Sequence, residues 1–389
     1  MQAKIKVAFF PYGLSQENPY QNLIIEGLEN NGVEVIKVPG RKFFPLLSLN
    51  RAKPDIIHIF WPHDLYMGKN VFTRAVKQIS LLFTLNILKK YPTVYSAENI
   101  SAHNPIGMTQ STELKWIERI IKRSRGLIFM SEAAKEIFTS YYQIQNKKIA
   151  VIPHISYKSI YPNQITKQEA KEKLRVTDSF VFLVLGRLQP YKGIEQTIAA
   201  FKLLNHQNCK LIIAGKCISP SYFNKLQSEA GEISGDKIIL QNSFIPNNEI
   251  QYYMNAADCL ILNYMDVPLN PGSVVMAKDF NLPLIANNHP VIAETCENLP
   301  YYPFESGDTT SLLNSMHKAI QYQEITSSSV ATNIDNSPTA IGKTLCEYYQ
   351  SLIYVRHVGH VLVCSIHGFK QLSWKQCSHL SFKPCPPSS

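Results

Sequence analysis

Apolar residues along this chain fall into short blocks, separated by longer stretches that repeat apolar positions at helical spacing. Ile5–Phe10, Val33–Val38, Asp55–Trp61, Thr93–Ala97, Leu127–Met130 and Ile149–Ile152 form one series. Phe180–Leu185, Lys210–Ala214, Lys237–Leu240, Cys259–Leu262 and Pro283–Ala286 form a second. Blocks without polar alternation suit parallel strands buried on both faces, and helices between them make βα repeats. The pattern predicts two doubly wound α/β domains in tandem. Their boundary falls near residues 155–178, where Tyr161-Pro162-Asn163 leads into a charged helix. Ligands of such sheets bind outside the carboxyl ends of the strands, so two facing sheets predict a central cleft walled by strand-to-helix turns.

At 389 residues the chain exceeds what one core usually holds. Its composition, 45% hydrophobic and 17% charged, excludes a disordered chain. Met1-Gln2-Ala3-Lys4 and the short apolar block that ends at Pro11 carry no secretory pattern, and no run approaches the ~20 apolar residues of a membrane span. The eight cysteines include no CxxC pair, which points to a reducing compartment. The expected location is therefore the cytoplasm, with attachment to the inner face of the membrane as an option.

The net charge of +10 is unevenly distributed. Residues 1–170 hold 22 Lys/Arg against 12 Asp/Glu, residues 171–354 hold 13 against 17, and residues 355–389 hold 4 against none. A basic first half predicts an anionic partner there, and the candidates are a phosphate-bearing acceptor, an acidic membrane surface or nucleic acid. Within it, Lys69–Lys90 carries Phe72, Val76, Ile79, Leu82, Phe83 and Ile87 at helical spacing. Lys69, Arg74, Lys77, Lys89 and Lys90 accompany them, with no acid. Such a helix can lie on an anionic membrane, and it can equally face a protein core.

Residues 355–389 fit neither series. Cys364, Cys377 and Cys385 occur there with His357, His360, His367 and His379, at spacings that match no familiar zinc ligand set, so an irregular tail is expected.

The segment Gly186-Arg187-Leu188-Gln189-Pro190-Tyr191-Lys192-Gly193 joins an apolar strand to a helix. Glycine lets a ligand approach the backbone, a helix N-terminus favours anions, and arginine with lysine suits a diphosphate. A second polar strand end, Tyr95 to His103, offers Glu98, Asn99 and His103.

Val181–Gly193 resembles the G-R-L-x-x-x-K-G signature of family 4 retaining glycosyltransferases, the glycosyl transferases group 1, which have the GT-B fold. Further matches follow that family's order: Phe129–Ala134 at a strand-to-helix turn, Val151–His154 at a strand end before the linker, Lys210–Gly215, Phe244-Ile245-Pro246, and Ala256-Ala257-Asp258. The resemblance covers roughly residues 3–354. It implies an acceptor-binding Rossmann-like domain over 1–165 and a nucleotide-sugar-binding one over 171–336, with a helix over 337–354 packing back on the first.

By this resemblance Arg187 and Lys192 hold the diphosphate, with Gly186 beside them, and His103 faces the transferred sugar. Phe244, Ile245 and Pro246 pack on the base, and Gly13, after the first strand, lies near the donor. Glu98 and Asn99 remain acceptor contacts or a base. One departure stands out. Where many relatives carry two glutamates eight positions apart, this chain has Pro268 and Met276. The small-residue turn Asn270-Pro271-Gly272-Ser273 resembles a variant of that motif, with the N–H groups of Ser273 and Val274 offered to phosphate or sugar hydroxyls.

The expected activity is transfer of a hexose, with retention, from a nucleotide sugar to a glycan or lipid-linked acceptor in cell-surface polysaccharide synthesis. No cofactor, metal or nucleic acid is expected. The rivals are a GT-B nucleotide-sugar epimerase and a noncatalytic binding relative.

Overall fold

The computed structural model describes residues 4–13, 19–40, 49–102, 108–266, 269–322 and 335–353. The chain begins with β1 (Lys6–Tyr12), α1 (Tyr20–Asn30), β2 (Glu34–Pro39), α2 (Leu49–Ala52), β3 (Ile56–Ile59) and α3 (Val71–Leu88). It continues through β4 (Thr93–Ser96), α4 (Gln110–Arg123), β5 (Gly126–Phe129), α5 (Glu132–Tyr141) and β6 (Lys148–Val151). These six strands form one parallel sheet in the order β2-β1-β3-β4-β5-β6.

Next come α6 (Lys167–Leu174), β7 (Phe180–Leu185), α7 (Ile194–Leu204), β8 (Cys209–Ala214), α8 (Pro220–Ala230), β9 (Ile238–Gln241), α9 (Ile250–Ala256) and β10 (Cys259–Leu262). Then follow α10 (Gly272–Asp279), β11 (Leu284–Asn287), α11 (Pro290–Thr295), β12 (Tyr301–Phe304), α12 (Thr309–Gln321) and α13 (Pro338–Ile353). The second sheet runs β12-β11-β10-β7-β8-β9, also parallel. Counted within its own half, this is the 3-2-1-4-5-6 order of the Rossmann fold, while the first sheet starts with the 2-1-3 order of the flavodoxin type.

Burial on both faces explains the unbroken apolar blocks. In β7, Val181, Leu183 and Leu185 enter the core on one side of the sheet, and Phe180, Phe182 and Val184 enter the core on the other. In β1, Ala8 and Phe10 divide from Val7 and Phe9 in the same way. Each fully buried phenylalanine adds about 1.5–3 kcal/mol to folding. β12, with the sequence Tyr-Tyr-Pro-Phe, is an edge strand that the apolar pattern does not predict. Proline donates no ladder bond, and an edge position tolerates that loss.

α13 lies against α1 at unusually close range. A Cβ on Gly27 would sit 2.0 Å from the Pro338 carbonyl oxygen, and one on Gly342 would sit 2.1 Å from that of Gly27. Farther along α13, Tyr349 Oη bonds His58 Nδ1 at 2.6 Å, and Tyr348 donates to the Lys148 carbonyl at 2.7 Å. The last helix is thereby bolted to the first sheet.

α3 also differs from the sequence expectation that no stretch is long enough to span a membrane. Among the described residues Val71–Leu88 meets that criterion by length and composition.

Candidate active site

The two sheets meet at their carboxyl ends. In the second, the switch point lies between β7 and β10, where neighbouring connections leave in opposite directions. Gly186 follows β7 at φ +101, a region open to glycine, and a Cβ there would come within 3.0 Å of Lys192 Nζ. Lys192 Nζ donates to the Leu185 carbonyl at 3.0 Å, and burial lowers its pKa to about 8. Arg187 is exposed. The lysine is therefore pre-aimed by the strand end, while the arginine is left to reach for a ligand.

The β7 turn is tied to the β10 turn. Asn263 donates to the Gly193 carbonyl at 3.0 Å, Met265 N–H donates to the Tyr191 carbonyl at 2.7 Å, and the Tyr191 and Tyr264 rings stack at 6.0 Å. Asn263 had no signal of its own in the sequence. The start of α7 is less open to anions than its position suggests, because the Glu195 carboxylate accepts from its own backbone N–H and is held by Tyr222 and Lys225.

Ile245 is buried in the second domain's core and anchors its loop, leaving Phe244 54% exposed and Pro246 exposed. A phenylalanine presented in this way can stack on a planar ring. Around the turn before α10 the structure departs from expectation. The Val274 N–H turns back to the Pro271 carbonyl at 2.9 Å, so it is not offered to a ligand. The space beside Gly272 belongs to Tyr157, whose Oη lies 2.8 Å from where a Cβ would be. Glycine here admits a tyrosine from the other half of the chain. Ser273 hydrogen-bonds Tyr264 through its side chain, and Met276 packs among apolar residues.

On the first sheet, Gly13 follows β1 at φ +75 with open space where a Cβ would be. Glu98, just past β4, is 3% exposed. Burial raises its pKa to about 8, although Asn270 and the Trp61 indole both hydrogen-bond it and oppose the rise. Oε1 of Glu98 and Oδ1 of Asn270 are buried without partners. Trp61 itself stands at φ 36, a costly conformation for a bulky residue, and its placement serves this contact. Two candidates taken from opposite halves of the sequence, one for acceptor and one for donor, thus form a single bridge. Asn99 is partly buried beside them.

A second buried carboxylate was not anticipated. Glu113, in the first turn of α4, is 0% exposed; its Oε1 accepts from the Ala102 N–H at 2.7 Å, contacts His63 Nδ1 at 3.0 Å and accepts from Tyr66 Oη at 3.2 Å. It fixes the loop after β4 that carries Glu98 and Asn99. The two halves also meet where Glu294 of α11 accepts from the N–H groups of Glu132 and Ala133 at 2.8 and 2.7 Å, at the start of α5. His103, Pro268 and residues 355–389 lie outside the described residues. No three His, Cys, Asp or Glu side chains gather as a metal site among the described residues.

Comparison with known proteins fits this geometry. Residues 166–327 match the profile of the glycosyl transferases group 1. An uncharacterized glycosyltransferase of Methanocaldococcus jannaschii is 27% identical over 292 residues, covering 72% of this chain and 68% of that one. The GDP-mannose:glycolipid 4-beta-D-mannosyltransferase of Xanthomonas campestris pv. campestris is 19% identical over 247 residues, and the chain spans 64% of its length. Anabaena HepE, solved with UDP and glucose, superposes with a TM-score of 0.61 at 16% identity, over 91% of this chain and 99% of that one. Residues 166–327 are thus similar to the glycosyl transferases group 1, and the chain as a whole has the GT-B fold, two Rossmann-like domains facing a central cleft.

Proposed function

We propose that this enzyme moves a hexose from a nucleotide sugar to a glycan or lipid-linked acceptor in cell-surface polysaccharide synthesis, working in the cytoplasm at the inner face of the membrane. The observation that carries the reading is the clamp after β7, where Lys192 is held at the strand end beside Gly186 with Arg187 exposed next to it. Fixed cations in a partly buried site stabilise the charge that develops on a departing diphosphate. That role needs neither a metal nor a cofactor. A glycolipid mannosyltransferase among the relatives supports the acceptor class.

The resemblance to family 4 supports retention of configuration. In that reaction the departing phosphate oxygen takes the acceptor's proton, and Glu98 serves to bind the acceptor. The unpartnered Glu98 Oε1 favours a second reading, with inversion. There, ionised Glu98 accepts the acceptor hydroxyl proton, the acceptor oxygen bonds the anomeric carbon from the opposite face, and the bond to phosphate breaks toward Arg187 and Lys192.

The test is incubation with a panel of nucleotide sugars and lipid-linked or oligosaccharide acceptors, with the product's anomeric configuration read by NMR. Arg187→Ala and Lys192→Ala should each lose transfer by on the order of a hundredfold. Binding without turnover on any donor would favour a noncatalytic relative, and conversion of the donor to its epimer would refute transfer. An inverted product together with loss of kcat in Glu98→Gln selects the second reading over retention.

A further inference from the structure

α3 has a face that the fold leaves unexplained. Leu81, Leu85 and Leu88 turn into the first domain's core at 2%, 6% and 1% exposure, accompanied by buried Ser80 and Thr84. Phe72, Ile79, Leu82 and Phe83 lie 76%, 53%, 46% and 56% exposed, with Val71 at 72%. Their spacing places them on one outward stripe of the helix. Phenylalanine thus faces out while serine and threonine face in, the reverse of what surrounding water favours. Exposed Lys69 and Lys89 flank this stripe at the two ends of the helix, Arg74, Lys77 and Lys90 add to the charge, and residues 69–90 contain no acid.

Length and composition alone would let α3 cross a bilayer. The inward leucines argue otherwise, since they hold the helix along the domain's surface. Charge selects the occupant of the outer face. A second copy of this chain would set the same cations against each other, whereas anionic headgroups would neutralise them.

We propose that the outer face of α3 docks on an anionic lipid surface, with Phe72, Ile79, Leu82 and Phe83 among the acyl chains and the lysines at the headgroup phosphates. α3 begins a few residues after the turn Pro62–Leu65, which follows Trp61, the partner of Glu98. A lipid-linked acceptor would therefore reach the cleft from the membrane side by a short path. This purpose rests on the acceptor reading above, although the docking itself does not.

Flotation with phosphatidylglycerol-containing and pure phosphatidylcholine vesicles tests the proposal without any transfer reaction. The whole chain should bind anionic vesicles roughly tenfold more than neutral ones, and less in high salt. Phe72→Asp with Leu82→Asp should lower binding roughly tenfold at an unchanged melting temperature, because both positions are exposed. Lys69→Glu with Lys89→Glu should lower the anionic preference severalfold. Absence of vesicle binding, or binding equal in the Phe72→Asp/Leu82→Asp variant, overturns the proposal. So does a dimer in light scattering that this variant dissociates while vesicles remain unbound. Transfer to a soluble acceptor, measured in parallel, reports on the enzymatic reading alone.

Discussion

Glu98, at the end of β4, and Asn270, before α10, are hydrogen-bonded across the facing edges of the two sheets. Each retains one buried oxygen without a partner, so the bridge is held together yet still has hydrogen-bonding capacity for a ligand.

The bridge makes stability depend on pH. Burial raises Glu98 to about 8 in the folded chain, above its ordinary carboxylate value. Its stabilising contribution is complete below the unfolded pKa and is lost as pH rises through about 8. Glu98→Gln cannot ionise and keeps the shape. Between pH 6 and 9 (roughly) the wild type should lose on the order of 2–4 kcal/mol relative to the variant. Urea denaturation at several pH values measures this, and parallel curves for the two proteins would refute it.

Lys192 should make donor binding pH-dependent in the opposite chemical sense. Burial lowers it to about 8, so in the free site Lys192 loses its positive charge above that pH, leaving Arg187 alone, and must take up a proton to help hold a diphosphate. Nucleoside diphosphate affinity, followed by calorimetry, should fall toward tenfold per pH unit above about 8 and stay flat below it. Lys192→Met should bind weakly at every pH, without that bend.

Gly27→Ala or Gly342→Ala should destabilise the chain by about 1–3 kcal/mol or more. In each case the added methyl meets backbone, 2.0 Å from Pro338 O or 2.1 Å from Gly27 O, and backbone yields poorly. A fall in Tm measured by calorimetry is the expected readout.

Tyr349→Phe should cost about 1–3 kcal/mol, because it leaves a buried nitrogen of His58 unpaired. His58 lies between Tyr349 and Ser96, and burial lowers its pKa to about 3. The neutral ring's contribution is present above the ordinary histidine value and is lost as pH falls toward about 3. His58→Asn should therefore unfold over a less pH-sensitive acid range.

The strands were legible to within a residue or two. Phe180–Leu185 and Cys259–Leu262 coincide with β7 and β10, because a strand buried on both faces leaves an unbroken apolar block. The basic turn after β7 could be read from the same block and its glycines. β12 could not, since an edge strand needs neither an apolar run nor every ladder bond. Glu113, Trp61 and Asn263 gave no signal because their roles arise from partners distant in sequence, Tyr66, Glu98 and Gly193 respectively.

By itself, the sequence determined the alternation of strand and helix, the two sheets and the place of the basic turn, all of which follow from local periodicity and glycine chemistry. Tertiary structure decided what those turns face. It gave the space beside Gly272 to Tyr157, turned the Val274 N–H inward, joined Glu98 to Asn270 and set the phenylalanines of α3 outward. A residue's chemistry is written in its side chain, but its protonation and its free valences depend on what the fold packs around it.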